Sequence, residues 1–442
     1  MTPSPYRRGA VIGIDFGTTN TVVSRLDSAG EARLTHFDTP EGPLAPFRSA
    51  LSFHGDERDA ARRVVEAGPW ATLAYAEDPL DTRFIQSFKS YAASPLFQET
   101  RILGRRYGFE DLLSTFLLRL RAHGGSDLTG SGATCIVGRP VSFAGLQPDP
   151  ALAIRRYETA FRRLGIKEVR YAYEPVAAAF FFARELEGDA TVMVGDFGGG
   201  TSDFSIMRFE RHAGVLRSTA LANAGVGVAG DAFDYRIIDN LVSPALGKGS
   251  SYRAFDNVLP IPNRYYTAFA RWEQLALLRA SRDMRDIRGL VRTSLEPAKI
   301  ARLVEVLDDN HGYGLYQAVS ALKEGLSASE SAFFSFKAGS VEIERKVDRA
   351  SFEAWITPEL RAIGAGIDEA LGRAKLAPKD LDRVFLTGGS SFVPAVRRLF
   401  TDRFGETRIE GGSELVSIAS GLAYIGAETD LDVWTEQAID AG

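Results

Sequence analysis

The apolar residues of this chain fall into runs of two periods. Residues 10–16 form a near-continuous apolar stretch of strand length, 17–20 a Gly-Thr-Thr-Asn turn, and 21–26 a β-branched run; together they predict a hairpin. The same succession returns at 191–197, 198–200 and 202–209. Between the hairpins, a period near 3.6 marks helices over 111–123 and 150–164. Pro175, tolerated in a first helical turn, starts another that runs to about 186. Short runs at 134–137 and 169–172 predict strands. Beyond the second hairpin the pattern gives a strand over 215–223, a glycine-rich loop over 225–230 and helices over 231–242, 265–280, 297–307 and 314–325. Residues 243–263, rich in Gly, Pro and Ser, are expected as a loop. Strands follow at 333–336, 341–347 and 384–387, with helices over 351–376 (broken near Pro358), 394–404 and 415–426. Strands alternating with helices predict an α/β fold of helix-covered sheets.

Each hairpin carries the tripeptide Asp-Phe-Gly, at Asp15-Phe16-Gly17 and at Asp196-Phe197-Gly198, 181 residues apart. So long a spacing is not that of a solenoid. It predicts two related lobes, each presenting one hairpin.

Composition narrows the classes. A chain of 442 residues, 45% hydrophobic and 25% charged, can bury several cores without metal or disulfide staples. A net charge of -5 argues against general binding of nucleic acid. No uncharged apolar run approaches the ~18 residues of a membrane span. Arg7 and Arg8 precede an apolar stretch, as in a signal peptide, but Asp15 interrupts it and no small-residue cleavage pattern follows. The lone Cys135 cannot form an internal disulfide, and a cytoplasmic location is expected. Lys is scarce, nine residues against 43 Arg, which makes each Lys a marked choice.

The candidate chemistry is phosphate chemistry. A turn of Gly and Thr presents consecutive backbone N–H groups as an anion-binding concavity, and glycine lets a phosphate approach the backbone closely. Gly17-Thr18-Thr19-Asn20 and Gly198-Gly199-Gly200-Thr201 are two such turns, each preceded by an Asp. Mg²⁺ takes one or two carboxylates together with phosphate oxygens, so Asp15 and Asp196 fit that role, with Asp203 as a third carboxylate nearby. Leu386-Thr387-Gly388-Gly389-Ser390-Ser391, between a strand and a helix, is a third glycine element of the kind that sits beside a ligand. A protein-kinase reading of Asp-Phe-Gly fails for want of the His-Arg-Asp loop, and the chain contains no Walker motif. Gly225-Val226-Gly227-Val228-Ala229-Gly230 matches the dinucleotide fingerprint, but it stands mid-chain without a second mononucleotide half and leaves both hairpins unexplained.

These motifs resemble a known family. Residues 11–20 are similar to the first phosphate loop of the seventy-kilodalton heat-shock chaperones, Tyr173-Glu174-Pro175-Val176 to the start of their connecting helix, and residues 194–203 to their second phosphate loop. Residues 373–376 and 384–394 resemble the adenosine loop and its approach. The order and spacing match over about 10–426. The resemblance implies lobe I over 1–188, with an outer subdomain at about 38–110, lobe II over 189–414, with an outer subdomain at about 231–330, and over 415–442 a helix returning to lobe I; the acidic tail is expected as a solvated end. The resemblance implies the two-lobed fold shared by actin, sugar kinases and heat-shock ATPases, built on duplicated ribonuclease H-like cores, with ATP or ADP and Mg²⁺ in the interlobe cleft. It implies that Asp15, Asp196 and Asp203 hold Mg²⁺ or its waters. Thr18, Thr19 and Thr201 then meet the phosphates, and Glu174 orients or deprotonates the attacking water. The family's essential Lys corresponds to Lys89, the only Lys in the first 166 residues; a Lys at the γ-phosphate supplies both position and charge. Gly230, Lys323, Ser327, Gly388, Gly389 and Ser390 fall where the family contacts ribose, adenine or phosphate.

The sequence departs from the family both at single residues and, more broadly, toward its end. Phe392 replaces the Arg that stacks on adenine, Ser320 stands where an acidic residue is common, and the loop 229–234 reads Ala-Gly-Asp-Ala-Phe-Asp. No apolar interdomain linker or β-rich peptide-binding domain is recognised in this sequence. The expected function is that of an ATP-binding, slowly ATP-hydrolysing, chaperone-like switch acting on an unknown protein partner or client, without nucleic acid or membrane. An actin-like assembly protein, a small-molecule kinase of the same superfamily and a nucleotide-sensing pseudo-ATPase are the alternatives.

Overall fold

The computed structural model describes residues 10–437, except 41, 56–62, 80, 126–132, 146, 167, 213–214, 272–274, 276–277, 279–280, 412–415 and 429. Arg7 and Arg8 therefore lie outside the described residues. The chain divides into two compact units, one of residues 1–229, 362–391 and 397–442, the other of residues 230–361 and 392–396. Among the described residues, no helix is long and apolar enough to cross a membrane.

The first unit holds two sheets with the same plan. In one, the hairpin Val11–Phe16/Asn20–Leu26 is antiparallel; Ala32–Leu34 extends it on one side, and Thr134–Arg139 then Glu168–Tyr173 join in parallel on the other. In the other, Ala190–Phe197 pairs antiparallel with Ser202–His212, and Val215–Val226 follows; Arg383–Thr387 and Ile409–Gly411 add in parallel. Each pair of parallel strands is joined through a helix, Pro150–Arg163 in the first and Pro394–Phe404 in the second. Strands buried on both faces read as continuous apolar runs, and Ala190–Phe197 is buried throughout. The repeated Asp-Phe-Gly is thus the local sign of a duplicated sheet.

The helix after each sheet's outer parallel strand packs against its counterpart. Glu174–Ala183 and Ser417–Gly426 touch so closely that a Cβ on Gly421 would lie 1.7 Å from the Ala177 carbonyl oxygen. Only glycine permits that approach. Val176, Phe182, Val194, Met207, Phe385, Ile418 and Leu422 share the core around the pair. A second core lies under the first sheet, where Phe16, Phe88, Phe109, Phe116 and Tyr157 meet.

Three expectations are corrected. Residues 243–263 are not a plain loop: Ser251–Ala254 and Asn257–Pro260 form a hairpin, whose Pro260 is tolerated at the end of a two-stranded ribbon. The helix expected over 265–280 is Asn263–Phe269, and most of its remainder lies outside the described residues. Within the tail, the described residues 430–437 are not a solvated end. Leu431 is buried, the Trp434 ring packs edge-on against Phe180 at 5.0 Å, Asp432 pairs with Arg170, and Glu436–Gln437 adds a strand beside Arg170 and Tyr171. Two apolar anchors outweigh the acidic residues around them.

The second unit contains the hairpin Ser331–Ala338/Val341–Asp348 and helices that include Gly230–Ile237, continued in wider turns over Ile238–Val242, and Gly312–Ala328.

Candidate nucleotide site

The two turns are built alike. Gly17 N–H donates to the Asn20 carbonyl at 3.0 Å, and Gly198 N–H to the Thr201 carbonyl at 3.0 Å. Asp15 stands one residue before the end of its strand, as Asp196 does in the second sheet. The turns lie together: a Cβ on Gly200 would sit 3.8 Å from Thr18 Oγ1. Ser49, which carried no sequence signal, braces the first turn. Its N–H donates to the Thr19 carbonyl at 2.8 Å and its hydroxyl to the Gly17 carbonyl at 2.7 Å.

The third glycine element meets the second turn. Thr387 is in parallel register with Asp196. Gly388 adopts φ +82, and a Cβ there would lie 2.2 Å from the Phe197 carbonyl oxygen, so a glycine is required on both counts. The Ser391 N–H and hydroxyl close this turn onto the Gly388 carbonyl, at 3.1 and 2.6 Å, while Gly389 stays exposed and Ser390 is buried.

Opposite charges converge beneath the turns. Lys89, in the short turn Phe88–Tyr91, donates from Nζ to Glu174 Oε1 at 2.7 Å, with both side chains buried. Glu174 is the first residue of its helix, where the backbone dipole favours an acid. Gly138 makes room for it: a Cβ there would lie 3.1 Å from Glu174 Cγ. Asp203 faces Asp196 across the hairpin, and its Oδ1 accepts from the Val141 and Ser142 N–H groups at 2.9 and 3.1 Å. Gly225, in register with Asp203, leaves space for that carboxylate, since a Cβ would stand 2.3 Å from Oδ1. The glycine of the dinucleotide-like match therefore has a packing role.

Burial and mutual repulsion push the carboxyl groups upward. Asp15 rises to about 7, first by burial and then by the Glu174 charge, with Lys89 opposing. Asp203 rises to about 7 for the same two leading reasons, opposed by the Thr201 hydroxyl and the Ser142 amide. Asp196 is driven well above its ordinary range by burial and by Glu174, Asp15 and Asp203. Burial alone would lower Lys89, but the Glu174, Tyr157 and Asp15 charges raise it. Asp203 Oδ2 is buried without a hydrogen-bond partner at standard distance and angle. An orphaned carboxylate oxygen within an acidic cluster suits a divalent cation, so the residues present fit Mg²⁺.

The first unit thus brings together Asp15, Gly17, Thr18, Thr19, Asn20, Lys89, Glu174, Asp196, Gly198, Gly199, Gly200, Thr201, Asp203, Gly388, Gly389 and Ser390. The remaining candidates belong to the second unit. Lys323 Nζ lies 2.7 Å from Asp234 Oδ1 and 3.5 Å from the Gly230 carbonyl oxygen. That pairing gives Lys323 a structural partner that the sequence did not suggest. The Ser327 hydroxyl donates to the Lys323 carbonyl at 2.9 Å, one turn back on Gly312–Ala328. Phe392 is 57% exposed, so its ring does not turn into the core.

The Hsp70 protein family model matches residues 86–250 and 291–427. The chain is 26% identical over 423 residues to the chaperone protein DnaK of Deinococcus deserti and, equally, to that of Deinococcus radiodurans. It is 24% identical over 427 residues to the chaperone protein DnaK of Deinococcus proteolyticus. In all three cases the match covers 93% of this chain and 58% of the relative, so the chain spans a little over half the length of the relatives it matches. With the family model matching well over half of its residues and the two sheets repeating one plan, the chain belongs to the Hsp70 family and has that family's actin-like ATPase fold.

Proposed function

We propose that this chain binds ATP and ADP with Mg²⁺ and hydrolyses ATP slowly, as a nucleotide-dependent switch read by a protein partner or client. The observation that carries the reading is the juxtaposition of the two turns, Thr18 beside Gly200, above a buried cluster of Asp15, Asp196, Asp203, Glu174 and Lys89. The turn amides and the hydroxyls of Thr18, Thr19 and Thr201 hold the β- and γ-phosphates. Asp15, Asp196 and Asp203 would hold Mg²⁺ or its waters, and the ion would supply neutralisation of phosphate charge. Gly388, Gly389 and Ser390 meet the nucleoside side of the ligand, and Phe392 offers a ring for the adenine. Glu174, held by Lys89, orients the attacking water. Water oxygen bonds to the γ-phosphorus as the bond to the β,γ-bridging oxygen breaks. The water's proton passes through Glu174 to the released phosphate, leaving ADP. Lys89 carries positive charge to the transferring group.

Calorimetric titration with ATP, ADP and GTP, with and without Mg²⁺, tests the site, and single-turnover hydrolysis tests the chemistry. The expected result is Mg²⁺-dependent binding of ATP and ADP, and turnover that Lys89→Ala and Asp196→Ala abolish. Absence of binding with Mg²⁺ present overturns the reading.

A further inference from the structure

The turn that carries Lys89, Phe88–Tyr91, follows the strand Arg83–Gln86 but leads on its other side into an irregular stretch to residue 99. Lys89 nevertheless has to deliver its ammonium to one oxygen of Glu174, and a four-carbon stem does so reproducibly only if its backbone is fixed. Phe88, packed on Phe16 and Phe116, fixes one side. The other side converges on one buried guanidinium. Arg156 Nη1, with two N–H groups, is shared among the carbonyls of Tyr91 and Ala92, each at 2.9 Å, and of Ser94 at 3.2 Å, while Nη2 donates to the Phe97 carbonyl at 2.6 Å. The clamp is linked directly to Lys89, whose carbonyl accepts from the Ala92 N–H at 2.9 Å. Arg156 sits on the rigid helix Pro150–Arg163, and the Asp149 N–H beside that helix adds a bond to the Ala93 carbonyl at 2.8 Å.

We infer that Arg156 is a positioning residue for Lys89, setting through the 91–97 backbone where the lysine meets Glu174. The inference rests on the proposed role of Lys89 in hydrolysis. A planar fork with five donors can hold four carbonyls at fixed angles; a lysine keeps the charge but not the fork. Misplacement of a catalytic group by about 1 Å can cost on the order of a hundredfold in rate.

The test uses the full chain carrying Arg156→Lys. Reductive methylation read by mass spectrometry reports Lys89 directly, with the half-buried Lys323, paired with Asp234, as the internal control. The expected result is methylation of Lys89 at least about tenfold faster, Lys323 unchanged, and single-turnover hydrolysis about tenfold or more slower at unaltered affinity for Mg·ADP. Unchanged protection of Lys89, or equal loss of protection at Lys89 and Lys323, overturns the inference, the latter because it marks general loosening. If Arg156→Lys does not fold, Arg156→Gln is read in the same way. Lys89→Ala separates the two claims. If it hydrolyses at the wild-type rate, the reading of the site fails, while the methylation result still decides the clamp. If Lys89→Ala is inactive and Arg156→Lys matches the wild type in both readouts, only the clamp fails.

Discussion

Lys89 Nζ and Glu174 Oε1 lie 2.7 Å apart, both side chains buried, although 85 residues separate them in sequence. Removing one member of such a pair strands a charge away from water, at a cost of about 3–5 kcal/mol, whereas removing both can be nearly neutral. Lys89→Met and Glu174→Gln are each expected to lose about 3 kcal/mol in urea unfolding, and the double variant to regain most of it. None of the three should hydrolyse ATP. A double variant as unstable as either single would show that the pair is not a closed electrostatic unit.

The raised carboxyl groups make stability fall as pH rises. Asp15 and Asp203 bind a proton in the folded protein up to about 7, against about 3.8 for an ordinary aspartate. Between those values the native state holds protons that the unfolded chain has released, so the unfolding free energy declines with pH. The stabilisation is complete below about 4 and is lost as pH passes 7. The nucleotide-free, Mg²⁺-free protein should therefore melt lower at pH 8 than at pH 6, and Mg·ADP should reduce the difference. Asp203→Asn keeps an acceptor for the Val141 and Ser142 amides, removes one charge and should raise the melting temperature at pH 8. A higher melting temperature for the unliganded protein at pH 8 than at pH 6 would contradict this sign.

What the sequence disclosed follows the range of the interactions involved. The two hairpins and their Asp-Phe-Gly corners were readable because strand period, turn chemistry and acid placement all lie within about ten residues. The partners of those corners were not. Gly225 makes room for Asp203, yet in the sequence it belongs to a match for a different cofactor. Ser49 braces Gly17 from 32 residues away and is one serine among many. The 251–260 hairpin was hidden by Gly, Pro and Ser around it. The docking of Leu431 and Trp434 was masked by neighbouring acids, although their size marked them as the residues most in need of a core.

Gly225→Ala tests the packing of the acidic cluster without altering any charge. Its Cβ would meet Asp203 Oδ1 at 2.3 Å and the Ser142 nitrogen at 3.1 Å, so either the carboxylate or the strand must move. The fold should survive, since only one face of the strand is disturbed. The expected loss is in Mg²⁺-dependent nucleotide affinity, about tenfold, with a smaller change in binding measured without Mg²⁺. Equal losses with and without the ion would place the damage in the turns instead.

Phe392 separates recognition of the base from recognition of the phosphates. Its side chain is 57% exposed, so truncation removes little packing and should leave the melting temperature of the free protein nearly unchanged. An aromatic ring stacked on a nucleobase contributes about 1–3 kcal/mol by alanine substitution. Phe392→Ala is therefore expected to weaken ATP and ADP by about tenfold and to leave inorganic triphosphate untouched. Phe392→Trp should bind ATP at least as tightly as the wild type, because stacking needs a π-face rather than a particular polar edge. Calorimetry with the three ligands reads both effects. If Phe392→Ala binds ADP as tightly as the wild type, the ring does not meet the base, and the nucleoside is then held by other residues, with the backbone around Gly388 and Gly389 the first to examine.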